Sequence, residues 1–227
     1  MKKALVLFSG GIDSTTCLAM AIDKYGAKNV IALSVSYGQK HLKEIEASDK
    51  IAAFYGVEHL KLDLGEIFKN SNCSLLSSSP KSIPELSYAE QLKRTEGMPV
   101  STYVPFRNGL FISAAASMAI SQECEVIYYG AHSDDAARNA YPDCSEEFNL
   151  AMGEAIYIGS GRRLKLEAPF VRKTKTDVVK KGLELKAPYE LTWSCYAGGD
   201  KPCGKCGTCI DRARAFALNG VEDPALK

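Results

Sequence analysis

Five short apolar runs punctuate the chain, and polar or helical stretches separate them. Ala4-Leu5-Val6-Leu7-Phe8 is the first, and it ends at a pair of glycines. Val30 to Tyr37 is the second, rich in β-branched members, and Gly38-Gln39 closes it. His59 to Leu64, Glu125 to Gly130 and Arg163 to Phe170 complete the set. Between them the spacing predicts helices. Leu18, Ile22 and Tyr25 mark one; Ile45, Ile51, Ala52 and Tyr55 mark another over 43–55. Leu110 to Ile120 is alanine-rich and apolar nearly all round, which predicts a buried helix. A further helix is expected from about Glu146 to Ile158. The run Lys173-Thr174-Lys175-Thr176-Asp177 opens the next, with Thr176 or Asp177 as its cap. Strands alternating with helices imply right-handed crossovers and a parallel, twisted five-stranded sheet with helices on both faces. In such a sheet ligands sit beyond the carboxyl ends of the strands.

Residues 66–100 break this rhythm. Six serines fall between 71 and 82, with Pro80, Pro84 and Pro99, and there is little periodicity. The stretch reads as an excursion from the sheet, either a lid or a surface insertion.

The first candidate for chemistry lies where the first strand meets the first helix, at Phe8-Ser9-Gly10-Gly11-Ile12-Asp13-Ser14. Two glycines let the chain turn tightly and let a ligand approach the main chain. The first turn of a helix offers unpaired N–H groups, and its dipole favours an anion. Ser9, Ser14, Thr15 and Thr16 add hydroxyls. The loop lacks the Gly-Lys-Ser/Thr ending of a Walker motif and the third glycine of a dinucleotide fingerprint. Its Ser-Gly-Gly-x-Asp-Ser string resembles the PP-loop of ATP pyrophosphatases, which cleave ATP between the α and β phosphates. The expected nucleotide-binding segment is Phe8, Ser9, Gly10, Gly11, Ile12, Asp13, Ser14, Thr15, Thr16, Cys17 and Leu18. Arg107 and Asn108 stand at the mouth of the alanine-rich helix, a second candidate anion site.

Composition narrows the setting. The 227 residues suit one α/β domain with a small appendage, expected to divide into 1–187 and 188–227. Lys and Arg number 28 against 27 Asp and Glu, so no global charge argues for nucleic acid or a membrane surface. The opening apolar run is too short for an export signal, and a cytoplasmic location is expected.

Of eight cysteines, four crowd together as Cys195-x7-Cys203-x2-Cys206-x2-Cys209. Without an export signal a disulfide framework is not expected. Short Cys-x-x-Cys loops bring thiolates onto one ion, and four of them leave no open position. The reading is a structural Zn²⁺, with a four-cysteine iron–sulfur cluster as the rival and redox cysteines as a third option. Cys17, Cys73, Cys124 and Cys144 read as packing residues, with Cys144 kept as a candidate nucleophile.

Three strings stand together in chain order: the Ser-Gly-Gly-Ile-Asp-Ser loop, Tyr141-Pro142-Asp143-Cys144, and Thr192-Trp193-Ser194-Cys195-Tyr196 leading to the remaining cysteines. With Val104-Pro105-Phe106-Arg107-Asn108 they resemble the 7-cyano-7-deazaguanine synthase family, and the resemblance covers nearly the whole chain. It implies an adenine-nucleotide α-hydrolase-like fold, one Zn²⁺ and a homodimer. It also implies a nitrile made from 7-carboxy-7-deazaguanine, ammonia and two ATP, on the way to queuosine or archaeosine in tRNA. The sequence departs from the family at Ala140 and Ser145, where glycine and arginine are usual.

On this reading Ser9, Gly10, Gly11, Ser14 and Thr15 supply donors to the pyrophosphate, and Asp13 helps hold Mg²⁺. Arg107, Lys173 and Lys175 are candidate partners for phosphates or for the substrate carboxylate. Asp143 or Asp134 would accept from the guanine-like edge, and Tyr37, Phe106, Tyr141 or Trp193 would stack on the base. The catalytic candidates are thus Ser14, Asp13, Arg107, Lys173 and Asp143. Direct contact with nucleic acid is not expected. The alternatives are another PP-loop adenylylating enzyme, of the tRNA thiolase, lysidine or deazaguanine-conjugating type, and a non-catalytic zinc-knuckle module.

Overall fold

A computed structural model describes residues 3–95, 98–137 and 140–226. All five expected strands are present: β1 (Ala4–Leu7), β2 (Val30–Ser36), β3 (Glu58–Asp63), β4 (Val126–Tyr128) and β5 (Lys165–Glu167). They form one parallel sheet in the order β3-β2-β1-β4-β5. Ala4 stands between Val30 of β2 and Val126 of β4, so β1 is central. The last two strands are shorter than their apolar runs.

The helices are α1 (Ile12–Tyr25), α2 (Lys43–Tyr55), α3 (Gly65–Phe68), α4 (Tyr88–Arg94), α5 (Arg107–Ser121), α6 (Ser133–Ala136), α7 (Glu146–Gly159), α8 (Lys175–Glu184) and α9 (Gly207–Leu218). Side chains alternate across a strand, and β1 shows how this builds two cores. Ala4, Val6 and Phe8 face one side, with Leu18, Ile51, Val178, Val179 and Phe216 from α1, α2, α8 and α9. Leu5 and Leu7 face the other, with Ile112, Ala115, Ala119 and Ile156 from α5 and α7. A central strand covered on both faces must be apolar throughout, which is why its pattern reads as a continuous run.

Two expectations need correction. The alanine-rich helix α5 is not buried all round: Ile112, Ala115 and Ala119 are buried while Ser113, Ser117 and Ile120 are exposed. One face packs on the sheet and α7, and the opposite face is exposed among the described residues. The cap of α8 is neither Thr176 nor Asp177 but Thr174, whose hydroxyl accepts from the Asp177 amide at 3.3 Å. Asp177 returns the bond to the Thr174 amide at 2.9 Å, a reciprocal capping box. Among the departures from the family pattern, Ser145 caps α7 by accepting from the Phe148 amide at 3.1 Å.

Residues 66–100 leave the sheet between β3 and α5. Cys73, Leu75 and Leu76 pack a small core of their own with Tyr37, Phe68 and Val104. The Lys40 amide donates to Leu75 and the Ser77 amide to Gly38, tying the stretch to the end of β2. Its helix α4 reaches the cysteine loop, where the Tyr88 and Tyr196 hydroxyls lie 2.8 Å apart. The C-terminal segment also joins the main body, since Ala215 and Phe216 of α9 are in the sheet core.

Candidate active site

The carboxyl ends of β1, β2 and β4 open into one cavity of about 230 Å³. Its floor and walls include Ser9, Gly11, Asp13 and Ser14 from the glycine turn, Glu44 from α2 and Arg107 from α5. Lys175 from α8, with Ser194, Tyr196, Thr208 and Asp211 from the C-terminal segment, closes another side.

The glycine turn is shaped by its own hydroxyls. The Ser9 amide donates to Ser14 Oγ at 3.1 Å, and the Gly11 amide donates to Ser9 Oγ at 3.2 Å. The Gly10 carbonyl accepts from the Trp193 amide at 3.1 Å. Among the described residues the amides of Gly10, Ile12 and Ser14 have no acceptor. Gly130 at the end of β4 lies close behind, where a Cβ would stand 3.2 Å from the Ser14 nitrogen. The turn is held open, with donors at the start of α1 left for an anion.

The expected nucleotide segment splits in two. Ser9, Gly11, Asp13, Ser14 and Phe8 line the cavity. Ile12, Cys17 and Leu18 are fully buried in the core behind it. The Thr16 hydroxyl is spent on the Ile12 carbonyl at 2.8 Å and the Tyr189 hydroxyl at 2.7 Å. The Thr15 hydroxyl is buried and has no partner. The alternation of a helix decides this, since only the first turn faces the strand ends.

Asp13 is the hub of a charged cluster. Lys175 Nζ lies 2.5 Å from Asp13 Oδ2. His132 Nε2 lies 3.7 Å from Asp13 Oδ1 and 3.3 Å from Asp135 Oδ2. Burial pushes the Asp13 carboxyl up, but Lys175 and His132 outweigh it and hold its pKa below the ordinary value. Burial raises Asp135, with His132 opposing. Asp13 Oδ1 and His132 Nδ1 have no hydrogen-bond partner. Lys173 stands outside this cluster, exposed and absent from the cavity wall. Lys175, two residues on and the first residue of α8, is the lysine that points inward. Asp134 is also absent from the cavity wall, and its Oδ2 accepts from the Lys175 amide at 2.8 Å.

The second expected anion site is already filled. The Asn108 amide at the start of α5 donates to Asp143 Oδ2 at 2.9 Å, so Asp143 caps that helix from a distant loop. Asp143 is 2% exposed, and burial raises its pKa although Asn108 and Arg107 pull it down. Its Oδ1 is buried without a partner. Arg107 instead lays its guanidinium over Tyr37, 4.9 Å from the ring centroid, and over Phe111 at 5.8 Å. Among the described residues no carboxylate pairs with it. Cys144 lines the inner wall with its thiol held by Asn108 Nδ2 at 3.3 Å; burial raises its pKa well above normal. That favours the neutral thiol and argues against a nucleophile.

Of the aromatic candidates, Tyr37 borders the cavity, while Phe106 is exposed and packs on Phe148. The Tyr141 hydroxyl is bonded to Thr102 at 2.6 Å, and the Trp193 indole N–H to the Cys195 carbonyl at 2.8 Å. Arg138 and Asn139, upstream of Tyr141, lie outside the described residues. Sequence reasoning missed Glu44 and Asp211. Glu44 follows the polar loop at the end of the second strand, where the strand-end rule points.

The four cysteines converge. Ligand atoms of Cys195, Cys203, Cys206 and Cys209 all lie within 4.8 Å of one another. The Cys203 and Ala197 amides donate to Cys195 Sγ at 3.3 and 3.4 Å, and the Cys206 amide to Cys203 Sγ at 3.4 Å. A hydrogen bond with Cys209 pushes the Cys206 thiol down to about 4, while Cys209 itself is raised. Four sulfurs converging on one point, with backbone amides aimed at two of them, fit a metal ion.

The family profile described as queuosine biosynthesis protein QueC matches residues 3–220. A protein of Archaeoglobus fulgidus named 7-cyano-7-deazaguanine synthase is 44% identical, over 99% of this chain and 90% of its own length. A protein of the same name from Caldicellulosiruptor saccharolyticus is 42% identical, over 98% of this chain and 94% of its own length. One from Pseudoalteromonas atlantica is 39% identical, over 99% and 98%. Among solved structures, the U34-tRNA thiolase NcsA from Methanococcus maripaludis with its [4Fe-4S] cluster aligns with a TM-score of 0.52. It is 17% identical, with 96% of this chain and 67% of that one covered, a likeness of PP-loop fold. No helix among the described residues is long and apolar enough to cross a membrane.

Proposed function

The chain belongs to the queuosine biosynthesis protein QueC family, and on that footing we propose that it makes 7-cyano-7-deazaguanine from 7-carboxy-7-deazaguanine and ammonia, using two ATP. The observation that carries the proposal is one cavity with two unsatisfied anion partners. The glycine turn presents free amides, and Arg107 presents a guanidinium with no carboxylate of its own.

A carboxylate is a poor electrophile because its leaving group would be hydroxide or oxide. Adenylylation replaces that leaving group with AMP. The amides of Gly10, Ile12 and Ser14 would grip the departing pyrophosphate and stabilise its developing charge. Ser9 and Ser14 act through the loop, since their hydroxyls hold its shape. Lys175 adds a positive charge beside the α1 N-terminus. Asp13 Oδ1, which accepts no hydrogen bond among the described residues and has only His132 nearby at 3.7 Å, would meet Mg²⁺ carried in with ATP. Arg107 would hold the substrate carboxylate, and the Asp143 loop with Tyr37 would receive the base. Ammonia then displaces AMP to give an amide, and a second adenylylation on the amide oxygen prepares loss of AMP to the nitrile.

Cys195, Cys203, Cys206 and Cys209 would hold Zn²⁺ in a closed shell, which supplies folding energy rather than chemistry. Incubating the protein with ATP, ammonium and the 7-carboxy acid should yield a nitrile by mass spectrometry, with AMP and pyrophosphate. An amide as the final product, or ADP in place of AMP, would refute the reading. Elemental analysis of the purified chain should find zinc, and Cys206→Ser should lose it. A visible-absorbing iron–sulfur chromophore would reassign the clasp.

A further inference from the structure

One carboxyl group set against the glycine turn has no hydrogen bond or ion pair among the described residues. Glu44 lies in the first turn of α2 and lines the same cavity as Ser9, Gly11, Ser14 and Arg107. The glycine turn fixes it there. Gly10 has φ of 84°, and a Cβ on it would stand 2.5 Å from the Glu44 carbonyl and 2.6 Å from the Ser48 amide. Only glycine lets the turn close onto α2. The first turn of α2 is therefore held against the phosphate-binding turn by backbone contact, and Glu44 reaches the cavity from there.

Among the described residues no hydrogen bond or ion pair engages that carboxyl. Its helix neighbours Lys43 and Glu46 pair with each other at 3.8 Å. From the elements packed around it, Arg107 and Lys175 favour its charge and Asp13 opposes it. Burial, helped by Asp13, outweighs the two cations and pushes its pKa up to about 7. A carboxylate that merely served the α2 dipole would be expected to ionise more easily, not less. Of the other raised carboxyls, Asp135 faces His132 and Asp143 caps α5, while Asp211 shares the cavity wall but stands on α9, two residues beyond Cys209.

The proposed chemistry has a demand that nothing assigned so far meets. Near neutral pH ammonia is almost all ammonium, which has no lone pair for attack. One proton must leave before the C–N bond can form. Attack then expels AMP with the C–O bonding pair, and nitrogen loses a second proton to become an amide. A third leaves nitrogen when the amide oxygen takes the second adenylyl group. The fourth leaves when the C–O bond breaks again, AMP departs and C≡N forms. All four protons come from one nitrogen, and no electron changes hands with an external partner.

We propose that Glu44 is the general base for that nitrogen: it draws in ammonium as a cation, takes its proton, and relays later protons to solvent. This rests on the nitrile-forming reading above. A base poised near the working pH both accepts and releases protons readily.

The test separates the two half-reactions in full-length Glu44→Gln. Acid-dependent exchange of labelled pyrophosphate into ATP needs no nitrogen donor and should stay within about twofold of the parent. Product formation from ammonium should fall at least about 100-fold. Hydroxylamine, which is neutral and carries its lone pair at neutral pH, should lose less than about tenfold. With ammonium the variant's rate should climb with pH as free ammonia rises. Exchange falling in step with product formation would overturn the proposal and assign Glu44 to the nucleotide or its metal. Equal loss with both nucleophiles, or no loss at all, would also overturn it. Absence of exchange in the parent would remove the function beneath the proposal, and the proposal with it, a result distinct from the other failures.

Discussion

Two arginines divide the molecule into a part that waits for a ligand and a part that is already satisfied. Arg212 of α9 sits in the C-terminal segment at 5% exposure, with every direction of its guanidinium answered. It donates to both Asp223 oxygens at 2.5 and 2.7 Å, to Thr192 Oγ1 at 2.8 Å and to the Tyr189 carbonyl at 3.2 Å. Arg107 lies in the cavity wall with aromatic rings beneath it and no carboxylate partner. The same contrast runs through their surroundings. Around the cysteines, backbone amides point at sulfurs and the Thr208 hydroxyl finds an acceptor, with His41 Nδ1 and Gln91 Oε1 the exceptions nearby. Around the glycine turn, three amides, Asp13 Oδ1, His132 Nδ1 and the Thr15 hydroxyl make no hydrogen bond among the described residues. Leaving buried polar groups unpaired is costly, so a protein tolerates it where a ligand supplies the partner. The clasp is built to hold the chain, and the cavity is built to be completed.

The contrast breaks most visibly if the two arginines respond alike to the same change. Arg212→Met would leave Asp223 buried and unpaired, and removing one partner of such a pair costs about 3–5 kcal/mol. The expected result is a large drop in the denaturation midpoint, with the denaturant slope unchanged. Activity of the fraction that remains folded should match the parent. A loss under about 1 kcal/mol would show that the clasp does not depend on this knot.

Arg107→Met should do the reverse. It removes a half-buried charge that has no carboxylate partner among the described residues, and methionine can pack on the same Tyr37 and Phe111 rings, so little stability should be lost. What it removes from function is a charge-assisted pair with the substrate carboxylate, worth about 1.5–3 kcal/mol. Pyrophosphate exchange driven by the acid should weaken about tenfold to 100-fold, mostly as a higher KM for the acid, while the midpoint stays put. A shifted KM for ATP with an unchanged KM for the acid would move Arg107 to the phosphates.

Much of this division can be read from residue order alone, because it rests on local rules. The strand-glycine-helix junction and the Cys-x-x-Cys spacing are contiguous, and periodicity locates all five strands. What escapes is long-range. Nothing in the sequence near Asn108 says that Asp143 will cap α5, and nothing near Arg212 names Asp223 as its partner. The choice between Lys173 and Lys175 turns on where α8 begins, and the reciprocal bonds of Thr174 and Asp177 decide that. Glu44 is invisible for the same reason: its significance comes from Gly10 packing on α2. The apolar look of α5 misleads because periodicity reports what a helix offers, not what covers it.

Glu44 sharpens the comparison at the level of acid–base balance, with the smallest expected effect. Its folded pKa of about 7 lies above the ordinary 4.5. A raised carboxyl favours the folded state while it is protonated. That contribution is complete below about 4.5 and is lost as pH rises through about 7. The ligand-free parent should therefore lose stability across that window, by about 1–2 kcal/mol once partial exposure is allowed for. Glu44→Gln cannot ionise, and Asp135, Asp143 and Asp211 titrate in both proteins, so the variant should match the parent at pH 4 and exceed it at pH 8. Urea midpoints at the two pH values check this. Parallel curves would mean that Glu44 is already ionised and solvated in the empty cavity. A variant more stable yet unable to use ammonium would mark the cavity as a place where the chain accepts strain for chemistry, the counterpart of a clasp where it accepts none.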